Sequence, residues 1–414
     1  SFTFNNSLNH LINSIPFDFK VKRLRDLVEM NSNDDDPIDL RIDRRNLLEI
    51  RSGSSSRLEE SIICQLSKIY DNCDAPYRFR RKGEKPWRVC FTGESGIDVG
   101  GPARELVYEA SIDVITPECG LFIKVPNARN NIGENREYII PISKPGFEKA
   151  KKCYKFVGVL LGICIRTSIV QDFSFAPFVW NYLGNEEVKI EDIYEIDFNF
   201  KKLMNDLQDA LNDEISELDF DKQFNNLRFV VEDSSGSEIP LIERGRLEKV
   251  TLNNCSKYIS LAKAYRLNEM KNNLEQIKSG LWENLNFPIN GFISGSILEY
   301  AACGSKDISF EDLNSIVKFN DVPIQQQHYF TEVIRNFTSE QRSKLLKFAT
   351  GRVRLPPKNS AHICFEVDHS FQFDKMPQSS TCFNQLHLPT YSSYENAYKM
   401  ISLAIEYSGT FENK

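Results

Sequence analysis

Cys382 is where residue type and setting first suggest covalent chemistry. It stands in Ser379-Ser380-Thr381-Cys382-Phe383-Asn384, just past the polar Gln378 and at the edge of a strand predicted over 382–388, so solvent access is expected. An unperturbed thiol, with a pKa of ~8.5, is a few per cent thiolate at neutral pH and already a usable nucleophile. No histidine stands beside it in sequence, so only the fold could supply a base. The other nine cysteines, at 64, 73, 90, 119, 153, 164, 255, 303 and 364, are scattered without a C-x-x-C pair. Several sit inside apolar runs, where a thiol packs as a small hydrophobe; a reducing compartment with no structural zinc is the expectation.

Two other constellations invite chemistry and are set aside. The loop Gly96-Ile97-Asp98-Val99-Gly100-Gly101-Pro102 is glycine-rich, but it lacks the Lys-Ser/Thr of a phosphate loop and the spacing of a dinucleotide-binding turn. Its glycines serve a tight turn, with Arg104, Glu105 and Asp98 expected to tie the loop to the helix that follows. The histidines stand at 10, 328, 362, 369 and 387; His362 and His369 near Cys364 match no usual metal-ligand spacing, so no metal and no cofactor are expected.

The chain has 414 residues and is 41% hydrophobic, more than one core normally accommodates, so two domains are expected. With 51 basic against 58 acidic side chains the net charge is −7, which argues against nucleic-acid binding. The longest apolar stretch, Phe156 to Ile165, is stopped by Arg166 and is too short to span a bilayer. The opening Ser1-Phe2-Thr3, with neither methionine nor an apolar leader, points to a piece of something longer.

Periodicity places the elements. Helical spacing over 8–29 is interrupted at Pro16, Arg88 to Thr92 alternates like a strand, and Pro102 suits the first turn of a helix over 103–115. Residues 148–169 form a helix with Phe156, Val159, Leu160 and Ile163 on one face. Residues 199–268 read as a small mixed subdomain, with strands near 227–231 and 239–242 about the turn Ser234-Ser235-Gly236, and helix resumes over 261–285. Thr338 with Gln341 fits a capping box, Gly351 stops that helix, and Ser392 with Glu395 repeats the device. Strands over 362–367 and 382–388 complete a compact α/β module from about Pro323, joined by a short polar junction at Lys318 to Pro323.

Thr381-Cys382-Phe383-Asn384-Gln385-Leu386, followed by Leu388-Pro389 and Tyr391-Ser392, resembles the catalytic-cysteine signature of HECT-type ubiquitin-protein ligases. Phe91-Thr92-Gly93-Glu94 and Gly96 through Glu105 look like that family's glycine-rich motif. Phe156-Val157-Gly158 with Leu161-Gly162 looks like its central helix, and Gly351-Arg352 with Leu355-Pro356 resembles the segment before the active site. The resemblance runs from about Ile15 to the last residue, in the family's order.

The resemblance implies an α+β, bilobal HECT fold: a large, mostly helical N-lobe over 1–320, with the subdomain near 199–268 docking a ubiquitin-conjugating enzyme, a hinge at 318–323, and a small α/β C-lobe over 323–414. It implies that Cys382 accepts ubiquitin as a thioester and transfers it to a substrate lysine. Thr381 and Asn384 would orient the ubiquitin tail or polarise the thioester carbonyl, Phe411 would assist transfer, Leu203, Leu207 and Tyr258 would line the conjugating-enzyme groove, and Tyr138 would belong to a ubiquitin exosite. The partners are then a conjugating enzyme, ubiquitin and a protein substrate, in the cytoplasm or nucleus. The pattern departs in two places: Ser380 stands where the family often has a histidine, and Ser52 to Ser56 looks inserted. The alternatives are a cysteine hydrolase acting on ubiquitin conjugates and a non-catalytic binding module.

Overall fold

The protein is described by a computed structural model over residues 15–83, 85–94, 101–287, 292–357, 364–380 and 384–407. These residues mix helices with small sheets and divide into two compact units. One comprises residues up to 167 together with 173–299; the other comprises 168–172 together with 300 onward.

In the first unit, Pro16 stands at the N-cap of α1 (Phe17–Met30), and the helical spacing expected before it lies outside the described residues. Strands β1 (Ile38–Ile42) and β2 (Trp87–Phe91) pair in parallel, and both bury every second residue, as the alternation of Arg88 to Thr92 anticipates. Between them lies α2 (Ile62–Asp71), and α3 (Gly101–Ile115) follows the glycine loop. Glu105 pairs with Arg44, at 2.5 Å; Asp98 and residues 95–100 of the loop lie outside the described residues. A short antiparallel pair, β3 (Phe122–Lys124) and β4 (Ile139–Pro141), leads into α4 (Ala150–Thr167).

Every residue of α4 from Phe156 to Thr167 is buried, so it has no exposed face opposite the expected apolar stripe. Its Arg166, which ends the apolar run, is buried too and donates hydrogen bonds to Val28 O, Asn284 O and Leu285 O. Burial lowers its pKa to about 10.

The span expected as a subdomain, 199–268, mixes helix and strand: α5 (Phe198–Asn212), α6 (Glu217–Gln223), the hairpin β5 (Val230–Glu232) with β6 (Glu238–Pro240), and α7 (Cys255–Asn268). The helix expected over 261–285 is two helices, because α7 stops before α8 (Lys271–Leu285). At the break, Glu269 turns to accept from Ser234 N and Arg266 Nε, and Met270 is buried. Helices α4 and α8 approach closely: a Cβ on Gly158 would lie 1.9 Å from Ile277 O, and one on Gly280 would lie 1.8 Å from Lys155 O.

The division between the units falls inside α9 (Gly295–Cys303), upstream of the anticipated junction at 318–323. The second unit continues with α10 (Phe310–Ile316), β7 (Val317–Asn320), α11 (Ile324–Asn336), α12 (Ser339–Thr350), β8 (Phe365–Phe373), β9 (Gln378–Ser380), β10 (Gln385–Thr390) and α13 (Tyr394–Tyr407). The first half of the polar junction is therefore strand: Val317 and Phe319 alternate with Lys318 and Asn320, and Asp321 makes the following turn at φ +52°. The capping box at Thr338 and Gln341 forms, and Gly351 ends α12 at φ +72°. At α13 the capping hydroxyl is not that of Ser392. Asn396 N donates to Ser393 Oγ at 3.3 Å, while Ser392 is held by Asp374.

The four strands run in the order β7-β8-β10-β9, with β9 alone antiparallel to its neighbour. Phe365, Val367, Leu386 and Leu388 face one way and bury against Phe330, Val333, Leu345, Leu346 and Ile401 of α11, α12 and α13. Period-two alternation then sends Lys318, Asn320, Glu366, Asp368, Gln385, His387 and Ser380 to the opposite face.

Candidate active site

The segment that carries Cys382 in the sequence falls between β9 and β10. Ser380 and Gln385 are register partners in the antiparallel pair, and Ser379 pairs with Leu386. Thr381, Cys382 and Phe383 lie outside the described residues, as does Phe411. Asn384 adopts φ +53°, a left-handed conformation that asparagine tolerates better than most side chains. Its carbonyl accepts from Glu366 N at 3.0 Å, anchoring the start of β10 to β8.

The far end of β10 is fixed from two sides. Buried Gln326 on α11 donates to Tyr391 O at 3.0 Å and accepts from Tyr391 N at 2.9 Å, satisfying the backbone as it leaves the sheet. Asp374 accepts from Ser392 N and Ser392 Oγ, at 2.9 and 2.7 Å, and these bonds hold its carboxyl below the ordinary aspartate range. The register between β10 and β8 shifts at Pro389/Thr390, where proline has no N–H to give to a ladder.

On the polar face, His387 is the register partner of Asp368, and its Nδ1 lies 4.0 Å from Asp368 Oδ2. Its Nε2 lies 3.3 Å from Ser380 Oγ, two residues along β9 from its register partner Gln378. Sequence reading named neither His387 nor Asp368 as a site residue, although alternation would have put His387 on the same face as Gln385. His369 instead meets Thr390 Oγ1 at 3.0 Å and packs edge-on to Phe371; His362 lies outside the described residues.

The other expected site residues in the described part belong to the first unit. Leu207 and Tyr258 are 0% and 1% exposed, and Tyr258 donates to Val230 O at 3.0 Å. Both are buried core residues, whereas Leu203 is half-buried. The large apolar side chains that the subdomain does expose are Leu218 and Leu247, at 74% and 80% among the described residues. Tyr138 is half-buried just before β4, and its carbonyl accepts from Val125 N at 3.2 Å.

Among the described residues, no helix is long and apolar enough to cross a membrane. The nine described cysteines are free thiols, six of them buried.

A family model described as HECT-domain (ubiquitin-transferase) matches residues 108–414, which include the whole second unit from residue 300 onward. The chain is 30% identical over 329 residues to human E3 ubiquitin-protein ligase HERC2, covering 78% of this chain and 7% of that protein. It is 28% identical over 335 residues to Saccharomyces cerevisiae E3 ubiquitin-protein ligase TOM1, covering 77% of this chain and 10% of that one. It is 27% identical over 337 residues to rat E3 ubiquitin-protein ligase NEDD4, covering 78% and 36%. The chain thus spans about a third or less of the length of these relatives. With most of its length matched by one family model, the chain belongs to the HECT-domain (ubiquitin-transferase) family.

Proposed function

We propose that this chain is the catalytic part of a HECT-type ubiquitin-protein ligase, in which Cys382 takes ubiquitin from a conjugating enzyme as a thioester and hands it to a lysine of a protein substrate. The observation that carries the reading is the Thr381-Cys382-Phe383-Asn384 signature inside the matched region, between two strands paired on either side of it.

The chemistry asks little of the protein beyond positioning. The Cys382 thiolate attacks the carbonyl carbon of the incoming thioester, a new C–S bond forms, and the conjugating enzyme's sulfur leaves. Exchange of one thioester for another is close to neutral, so the protein's contribution is a near-attack distance of ~3 to 3.5 Å. The lysine amine then attacks the same carbon, Cys382 leaves, and amide formation drives the step. In this reading the second unit is the C-lobe, and the 199–268 subdomain docks the conjugating enzyme. Exposed Leu218 and Leu247, with half-buried Leu203, are better suited to that contact than buried Leu207 and Tyr258. Lobe movement is assigned to 318–323, of which Asp321 to Pro323 stand outside the β7–β8 ladder. Tyr138 contributes a ubiquitin exosite, Thr381 and Asn384 orient the ubiquitin tail, and Phe411 assists transfer to the acceptor. The reaction calls for a reducing interior, cytoplasmic or nuclear.

The test is a non-reducing gel of activating enzyme, a conjugating enzyme, ubiquitin and this chain. A thiol-sensitive ubiquitin adduct is expected, absent in Cys382→Ala and converted to a thiol-resistant ester in Cys382→Ser. An unchanged adduct in Cys382→Ala refutes the assignment, and cleavage of ubiquitin chains without an adduct supports the hydrolase instead.

A further inference from the structure

Two of the cysteines that ubiquitin transfer leaves unused touch one another inside the first unit. Cys64 Sγ lies 3.0 Å from Cys153 Sγ, 89 residues away in the chain, where α2 packs on α4. Each sits in the first turn of its helix: Cys64 is the third residue of α2 and Cys153 the fourth of α4. Two helix N-termini therefore converge on the pair, and that end of a helix favours a thiolate. The charged groups around it are themselves paired. Asp113 of α3 accepts from Ile63 N at 3.2 Å and meets Arg51 at 2.7 Å, while Glu59 is paired with Lys149.

The two sulfurs are not equivalent. A hydrogen bond from the Cys153 thiol holds Cys64 below the ordinary cysteine range, against burial and the charges of Asp113 and Glu59. The same contact, together with burial, pushes Cys153 up, so Cys153 keeps the proton and Cys64 carries the nucleophilic sulfur. Cys64 is also the one that reaches the surface, at 6% exposed against 1% for Cys153. Cys119 is 0% exposed, and burial keeps it protonated.

We propose that Cys64 and Cys153 form a redox site, which hydrogen peroxide converts to a disulfide that fastens α2 to α4. The site is separate from the transfer chemistry and does not rest on it. The Cys64 sulfur attacks one peroxide oxygen, an S–O bond forms and the O–O bond breaks. The leaving oxygen takes up the proton that Cys64 gave up and departs as water, so Cys64 becomes a sulfenic acid. The Cys153 sulfur then attacks the Cys64 sulfur, the S–S bond forms, the S–O bond breaks, and the hydroxyl leaves as a second water with the Cys153 proton. Two thiols are oxidised and one peroxide is reduced. The sulfurs have about 1 Å to close to reach a bond length of ~2.0 Å, and they already face each other. A dithiol reductant reopens the bond by exchange, so a reducing interior makes the device reversible. Because the link closes a loop of 89 residues, it constrains the unfolded chain strongly.

The experiment treats the full chain with hydrogen peroxide, caps the remaining thiols with N-ethylmaleimide, and maps a non-reduced digest by mass spectrometry. The expected product joins the peptide carrying Cys64 to the one carrying Cys153, two hydrogens lighter than their sum and released by dithiothreitol. Because the linked peptides are identified by mass, oxidation of other thiols, Cys382 included, does not enter the result. In Cys153→Ser the Cys64 sulfenic acid has no partner and is expected to be trapped by dimedone. Tryptophan fluorescence reads the first unit, which holds Trp87, Trp180 and Trp282. The urea midpoint of peroxide-treated wild-type protein is expected about 1 M above that of the same protein after dithiothreitol. Recovery of Cys64 and Cys153 both capped, while exposed Cys90 is oxidised, overturns the inference, as does a link from Cys64 to Cys119. Dimedone on Cys153 in Cys64→Ser, with none on Cys64 in Cys153→Ser, overturns the assigned order of attack. A linked protein whose midpoint does not rise overturns the fastening. The peptide map and the midpoint both use wild-type protein, so the test stands even where a variant fails to fold.

Discussion

Gly158→Ala places a methyl group where the α4–α8 interface has no room. The new Cβ would stand 1.9 Å from Ile277 O and 2.5 Å from Leu281 N, both backbone atoms of α8, so no side chain can swing aside to admit it. The helices must part by about 1 Å over a contact that is packed like the rest of the interior. Overpacking of this kind costs about 3 kcal/mol at the upper end of its usual range. Alanine's better helix propensity returns about 1 kcal/mol, so a net loss of about 2 kcal/mol is expected. Tryptophan fluorescence reads this unit selectively, because Trp87, Trp180 and Trp282 all lie in the first unit and the second has none. With a urea slope of about 3 kcal/mol/M, the fluorescence midpoint should fall by more than half a molar with its slope unchanged. Gly146→Ala is the control: nothing lies within 4 Å of its Cβ position, and its midpoint should hold or rise slightly. A Gly158→Ala midpoint equal to that of Gly146→Ala would refute the close-approach argument.

Two further outcomes follow from burial and hydrogen bonding in the 199–268 subdomain. Leu207→Ala should destabilise the first unit by about 2 to 5 kcal/mol through the cavity it leaves, whereas Leu218→Ser should leave the fluorescence midpoint in place and slow only loading from the conjugating enzyme. Asp233, at the turn of the β5–β6 hairpin, accepts from Ser235 N and Ser237 N, both at 2.9 Å. Burial opposes its charge, but these bonds and that from Ser235 Oγ outweigh it and lower its pKa below 3.8. Its contribution to stability is therefore complete above the ordinary aspartate range and is lost as the pH falls through 3.8 and below. Asp233→Asn should flatten that acid limb in amide exchange of the hairpin, and an unaltered limb would count against the assignment.

What could be read from the chain was what neighbouring residues settle among themselves. Thr338 and Gln341 satisfy each other's backbone across one helical turn, Gly351 admits a left-handed φ without a Cβ penalty, and Arg88 to Phe91 alternate because a strand has a period of two. The one-residue slip from Ser392 to Ser393 at the start of α13 shows the limit of even these local rules. Asp374, eighteen residues upstream, had already engaged Ser392.

Burial and juxtaposition were decided elsewhere. The spacing of Leu203 and Leu207 marks one helical face, but whether a face is covered depends on what packs over it, and Leu207 proved to be core while Leu203 stayed half-buried. The break between α7 and α8 has no glycine or proline to announce it; it coincides with Glu269 bonding back to Ser234 and Arg266. Asp368, Ser380 and His387 carry no shared motif, and they meet because one parallel and one antiparallel pairing set β8, β10 and β9 in register. The sequence by itself determined the Thr381-to-Asn384 signature, the capping box at Thr338 and Gln341 and the alternating strands, since each depends on residues within a few positions of one another. Only the tertiary structure decided which residues share the polar face with the hairpin and which apolar side chains remain exposed, because strand register and burial are set by contacts between distant segments.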